Sequence, residues 1–199
     1  WYNNPQELKN LQAKVYSNWS NDFSSEISIT NKKVETGQTS FNSELGLGDI
    51  SIRNVDSQSD GTDGTIAFGS DEFRHSNSLA NDLFIIKADG NYLYGDHSIE
   101  FGFDYQILDV ENQFLPGAKG VVTFDSLEDF AAREVSRYSY TNGIGNDPLV
   151  AAAAFQRENI SVYVNDTWDF SSALILSFGL RYERFGSDDK PTFNQDVFN

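Results

Sequence analysis

Three observations predict an all-β chain: an antiparallel up-and-down transmembrane β-barrel segment of about six to eight strands with long extracellular loops. Apolar residues recur at every second position through long stretches, and tight turns alternate with much longer connections. The purely apolar run that contains Val150 to Phe155 falls far short of the roughly 20 residues that a spanning helix needs. A spanning strand needs only its alternate residues to be apolar, so a low average hydropathy does not argue against it.

The first hairpin is expected over about residues 11–30. Leu11, Ala13, Val15 and Trp19 alternate with Gln12, Lys14, Tyr16 and Asn18. A turn around Ser20 to Asp22 leads to Phe23, Ile27 and Ile29, which alternate with Glu26, Ser28 and Thr30. A long connection follows over about 31–81. Within it, Leu45 to Ile52 reads as a strand fragment whose apolar phase slips near Gly48-Asp49, as a bulge would make it do.

The second hairpin is expected over 82–113. Phe84, Ile86, Ala88, Tyr92 and Tyr94 share one phase, with Lys87, Asp89 and Asn91 in the other. After a Gly95-Asp96 turn, Ile99, Phe101, Phe103, Tyr105 and Ile107 alternate with Ser98, Glu100, Gly102, Asp104 and Gln106. In the next connection, about 114–154, SLEDFAAR (126–133) predicts a short helix. Ser126 is its N-cap, and acidic residues occupy its first turn. Glu134 to Thr141 reads as a further strand fragment.

The third hairpin, 156–184, has the strongest alternation. Ile160, Val162, Val164, Asp166, Trp168 and Phe170 share a phase, as do Leu174, Leu176, Phe178, Leu180 and Tyr182 after the Ser171-Ser172 turn. On a helix these residues would spread round the axis instead of sharing a face. A third long connection is expected over 185–199.

Short turns at one end of the strands and long connections at the other are the asymmetry of an outer-membrane barrel. Compact soluble domains rarely carry loops of this length. The aromatics agree: Trp19 and Phe23 flank the first turn, Tyr92 and Tyr94 precede the second, and Trp168 and Phe170 precede the third. Amphipathic rings gathered at one strand end suit a membrane–water interface. Asp166 stands out in an apolar phase, but near the turn end, where a charge costs less than at the midplane.

Composition narrows the function classes. The net charge is -16, with 14 Lys and Arg, so no basic surface for nucleic acid is expected. There is no Cys, which removes disulfides and thiolate metal sites and fits an exported bacterial protein. The chain opens at Trp1 and contains no Met, which reads as a mature or internal segment.

The stretch YVNDTWDFSSALILSFGLRYE resembles the barrel signature of TonB-dependent outer-membrane receptors, through Tyr163, Asp166, Trp168, Gly179, Leu180, Arg181 and Tyr182. FRHSNSLANDLFIIKADGNYLYGDHSIEFGFDYQ (73–106) and VTFDSLEDFA (122–131) are similar to the Oar-like branch of that family. The resemblance spans about residues 71–185 and implies a barrel of about 22 strands closed by a plug. It also implies energy delivered by a TonB-type coupling protein in the inner membrane. Six strands cannot close such a barrel, so the chain is expected to be part of its wall, and no plug is recognisable in it.

On this reading the chain lies in a Gram-negative outer membrane. Its partners are outer-membrane lipid and lipopolysaccharide, the remainder of the barrel with its plug, and the coupling protein. Glu100, Asp104, Arg181 and Glu183 would face the lumen as a hydrated wall. His75 and His97 are expected to be polar loop or turn residues. No nucleophile, metal-hydrolase or phosphate-loop motif supports an enzyme, and no cofactor is implied.

The loop DSQSDGTDGTIAFGSDEF (56–73) starts like a calcium-binding EF-hand loop, but Ala67 stands where the bidentate Glu belongs. A looser site from Asp56, Asp60 and Asp63 is the residual metal candidate beside a plain solvated acidic loop. Two other architectures remain open. One is a small complete barrel with an adhesion or structural role, and the other is a soluble β-sandwich binding carbohydrate or calcium.

Overall fold

The computed structural model describes residues 2–41, 43–56, 61 and 63–190. Its strands are, in chain order, β1 (Tyr2–Asn3), β2 (Gln6–Asn18), β3 (Phe23–Gly37), β4 (Thr39–Ser40), β5 (Asp49–Val55) and β6 (Gly64–Gly69). They continue as β7 (Asn77–Tyr94), β8 (His97–Phe114), β9 (Val121–Phe124), β10 (Arg137–Ser139), β11 (Ala153–Ser171) and β12 (Leu174–Gly186), with one α-helix, α1 (Leu127–Ala132). The chain divides into two compact units. The first draws on residues 8–34, 81–110 and those from 154 onward, the second on 1–7, 35–80 and 111–153.

A six-stranded sheet in the order β12-β11-β8-β7-β3-β2 is the framework of the first unit. It consists of three hairpins side by side, each joined by a tight turn. At the first turn the Ser20 hydroxyl accepts from the backbone N–H of Asp22 and of Phe23. At the second, Gly95 adopts φ 57°, a left-handed geometry that glycine enters without a Cβ penalty. β7 and β8 each run for 18 residues, beyond the roughly 9–11 that a tilted strand needs to cross hydrocarbon.

The register of β11 on β12 keeps the two phases apart. Val162 pairs with Tyr182, Val164 with Leu180 and Trp168 with Leu176. Between them, Ser161 pairs with Glu183, Tyr163 with Arg181, Asn165 with Gly179 and Thr167 with Ser177. A slip of one residue would reverse every side chain, so the alternation in sequence fixes the pairing. The apolar face lies bare, with Phe178 59% and Leu180 80% exposed. A β-sandwich would have buried that stripe against a second sheet, and the sandwich alternative fails on this observation.

The long connections do not stay open. In the second unit β5 lies parallel to β9 and antiparallel to β6, and β10 extends the far side of β9. Ile52, Val55 and Phe124 form its buried core, with Ile50 and Val122 packed on them. Helix α1 covers this core through Phe130, whose ring stands edge-on to Phe124 and Phe68 at 5.2 and 5.9 Å. Ser126 caps α1 by accepting from the Asp129 N–H at 3.0 Å, and Arg133 ends it at φ 62°.

Several local elements differ from the sequence expectation. Ser43–Leu45 is a 3-10 turn, and the strand starts only at Asp49. The phase slip at Gly48 is not a bulge. A Cβ there would lie 2.1 Å from the Gly120 carbonyl oxygen, so the glycine admits a close backbone approach. The irregularity in this hairpin lies between Ile52 and Val55, next to Asn54 at φ 52°. The Glu134 to Thr141 fragment contracts to β10. Strands β6 and β9 sit in segments that read as loop in the sequence.

Candidate functional site

The polar phase of the six-stranded sheet carries the first candidate site. Tyr163 on β11 donates its phenol O–H to Asp89 Oδ1 on β7 at 2.6 Å, spanning β8. It can do so because β8 presents Gly102 between them. A Cβ at Gly102 would lie 2.4 Å from Tyr163 Cε1 and 2.6 Å from Asp89 Oδ1. The Lys87 ammonium holds the other Asp89 oxygen at 2.9 Å. On β12, Arg181 donates to Ser161 Oγ at 2.9 Å and to Glu183 Oε1 at 2.6 Å, with its guanidinium 5.9 Å from the Tyr163 ring centroid.

Of the residues expected to face the lumen, Arg181 and Glu183 therefore meet directly. Glu100 lines a hollow of about 350 Å³ with Glu26, Asp89 and Tyr163, and Glu26 is itself paired with Lys14 at 2.7 Å. Asp104 stands apart from both. It is buried and accepts from the Gln106 amide at 2.8 Å. Sequence reading missed Tyr163, Asp89 and Gly102 as one unit. The available signal was a Tyr in a phase otherwise filled by Ser161, Asn165 and Thr167.

On the apolar phase the six aromatics near the turns form contacts of their own. Phe23 stacks on Phe101 at 6.4 Å, above Gly90, whose missing side chain leaves room for the Phe101 ring. Tyr92 stacks on Tyr94 at 6.3 Å, Trp168 meets Phe170 edge-on at 4.9 Å, and Trp19 Nε1 donates to Ser25 Oγ at 2.9 Å. His97, expected to be a plain turn residue, proves to be the partner of Asp166, Nδ1 to Oδ2 at 2.8 Å. It also stacks on Trp168 at 5.1 Å. A charge in an apolar phase is tolerable once paired and hydrogen-bonded.

Farther from the turns the same phase becomes polar. The Lys33 ammonium lies 2.6 Å from Asp82, and Gln156 donates to Asp109 at 2.8 Å. On β8 the apolar run from Ile99 to Ile107 is thus closed by Asp109, close to the length a bilayer crossing requires.

The second unit holds the remaining candidates. The Asp56 carboxylate accepts from the Gly61 N–H at 3.1 Å. Asp60 falls outside the described residues, and among the described residues no three acidic, His or Cys side chains are grouped to hold a metal. His75 is a loop residue, as expected, and a buried one. Its Nδ1 accepts from the Lys119 N–H at 3.1 Å, which leaves Nε2 to donate to the Ser70 carbonyl at 2.8 Å. Arg74 lies over the Tyr2 ring, and the hydrogen bond to Asp71 raises its pKa above the ordinary guanidinium value.

A sheet with one hydrogen-bonded polar face and one bare apolar face of bilayer height defines a membrane protein that crosses with strands. No helix among the described residues is long and apolar enough to cross a membrane. A family model described as an outer membrane beta barrel domain matches residues 9–199, and the chain belongs to that family. Its location is the Gram-negative outer membrane. No curated protein and no solved structure matches the chain.

Proposed function

We propose that the chain is part of the barrel wall of a TonB-dependent receptor of the Oar-like branch, which moves a substrate across the outer membrane with energy from the inner membrane. The observation that carries the wall assignment is the open sheet. Among the described residues the strand order ends at β12 on one side and β2 on the other. An unpaired backbone N–H or C=O in hydrocarbon costs several kcal/mol, which supports further strands continuing both edges. The receptor assignment rests on the signature residues Tyr163, Asp166, Trp168, Gly179, Leu180, Arg181 and Tyr182, which carry the sheet's phase separation.

On this reading the polar face around Glu100, Asp104, Arg181 and Glu183 lines the lumen and meets the plug. The bare face meets outer-membrane lipid, and the polar residues above it meet lipopolysaccharide head groups. The TonB-type protein engages the parent chain, nucleic acid has no place, and the protein acts by transport and not by catalysis. The deciding experiment probes native outer membranes with an antibody to residues 56–73, with and without boiling. A heat-shifted band several times larger than 22.3 kDa supports the wall segment. A heat-shifted band near that mass would replace the receptor with a small closed barrel.

A further inference from the structure

In the second unit β6 forms the outer edge of the β10-β9-β5-β6 sheet, and among the described residues no strand pairs with its far side. The direction of its free backbone groups follows from the ladder. Asp49 donates its N–H to the Gly120 carbonyl on the β9 side at 3.0 Å, so Asp49 and, by alternation, Ser51 address β9. Ile50 and Ile52 then address β6, where their register partners are Phe68 and Ile66. Ala67, opposite Ser51, aims its N–H and C=O away from the sheet.

Natural proteins usually blunt such an edge with Lys, Pro or an inward charge. Gly64–Gly69, GTIAFG, has none of these and is exposed almost throughout. Ile66 and Phe68 stay 42% and 39% exposed, with Phe68 anchored on Phe130 of α1. The flanks carry Asp63, Glu72 and Asp71, the last already paired with Arg74 at 2.9 Å, and there is no Lys or Arg from 56 to 72. A second copy pairing edge to edge would set these carboxylates against each other, and like charges placed opposite destabilise a ladder.

We propose that β6 is a docking edge for an extended cationic polypeptide, which adds as a strand beside Gly64–Gly69 while its Lys or Arg side chains meet the flanking carboxylates. Backbone hydrogen bonds supply the affinity of such strand addition, and side chains supply the selection. The inference goes beyond transport, and it stands whether or not the parent protein is a TonB-dependent receptor.

The test uses the purified full-length protein in detergent, with a fluorescein-labelled decapeptide of alternating Lys and Val and its Glu–Val counterpart. The Lys peptide is expected to bind and the Glu peptide to bind at least tenfold more weakly. Ala67→Pro removes one outward N–H while sparing the β5–β6 pairs, and is expected to weaken the Lys peptide at least tenfold. Ala67→Ser, which keeps the N–H, is expected to bind as the parent does.

Hydrogen exchange at the Ala67 amide in the unaltered protein is an independent readout, and it decides alone if the proline variant does not assemble. The amide is expected to exchange fast alone and slowly with the Lys peptide. An amide already protected without peptide would mean that another segment of the parent covers the edge, and would overturn the proposal. Equal binding of both peptides, or undiminished binding by Ala67→Pro, would overturn it as well.

Discussion

Ile52 and Phe124 are 3% and 7% exposed in the unit formed by the long connections, whereas Phe178 and Leu180 on the six-stranded sheet are 59% and 80% exposed. These side chains are of the same chemical kind, so hydrophobicity alone does not decide which is covered. The connections fold around a small core as a water-soluble domain does. The sheet turns its apolar phase outward, an arrangement costly in water and favourable against acyl chains. One chain thus satisfies two solvents, and its low mean hydropathy of -0.46 averages over both.

Charge on the bare face is the strongest way to break this contrast. The double variant Phe101→Arg, Phe178→Arg is expected to cost about 4–8 kcal/mol, twice the roughly 2–4 of one midplane Arg, since the two sites lie on non-adjacent strands. Heat-modifiable protein should vanish from the outer-membrane fraction. Asp104→Ser, on the opposite phase, should retain it. Equal tolerance of all three changes would sink the assignment of faces.

The complementary variant is Phe124→Ala, which hollows out the small core. Truncating a buried Phe costs about 3–5 kcal/mol, here confined to the unit holding Ile52, Val55 and α1. Limited proteolysis is expected to cut the long connections faster, while the heat-dependent gel shift survives. Loss of the shift together with the connections would show the two units to be one cooperative structure.

What was legible in the sequence follows from where its information is local. Period-two alternation gave the three hairpins and their phases, because each strand of the sheet has one apolar side. Ser126 announced α1 because capping is a matter of a few adjacent residues. β6 and β9 were hidden in acidic and Gly-rich surroundings, and they are strands only because β5 lies between them. In the polar site, Arg181 and Glu183 were readable as neighbours in one phase of one strand. The Tyr163–Asp89 bond was not, since it joins residues far apart in sequence across an intervening strand. Likewise the role of Asp166 depended on His97, from another hairpin.

Gly102→Ala probes that cross-strand site. Its Cβ would enter the space of the Tyr163 ring, 2.4 Å from Cε1, and overpacking of this kind costs about 1–3 kcal/mol. A lower urea midpoint for the loss of heat-modifiability is expected, with assembly retained. An unchanged midpoint would mean that the ring moves aside freely and that Tyr163 does not brace the sheet.

Tyr163→Phe is the mildest change, because it keeps the ring over Gly102 and removes only the hydroxyl that donates to Asp89. Asp89 keeps its Lys87 partner at 2.9 Å, and the site is open to water, so the loss is expected at the low end for a hydrogen bond to a charge, about 1.5 kcal/mol. The informative quantity is its coupling to Gly102→Ala. If Gly102 matters only by letting the phenol reach Asp89, the double variant should be no worse than Gly102→Ala alone. Strict additivity would instead assign the glycine's role to the ring's packing and leave the Tyr163–Asp89 bond a passenger. The polar face would then draw its order from packing, as the small core of the connections does.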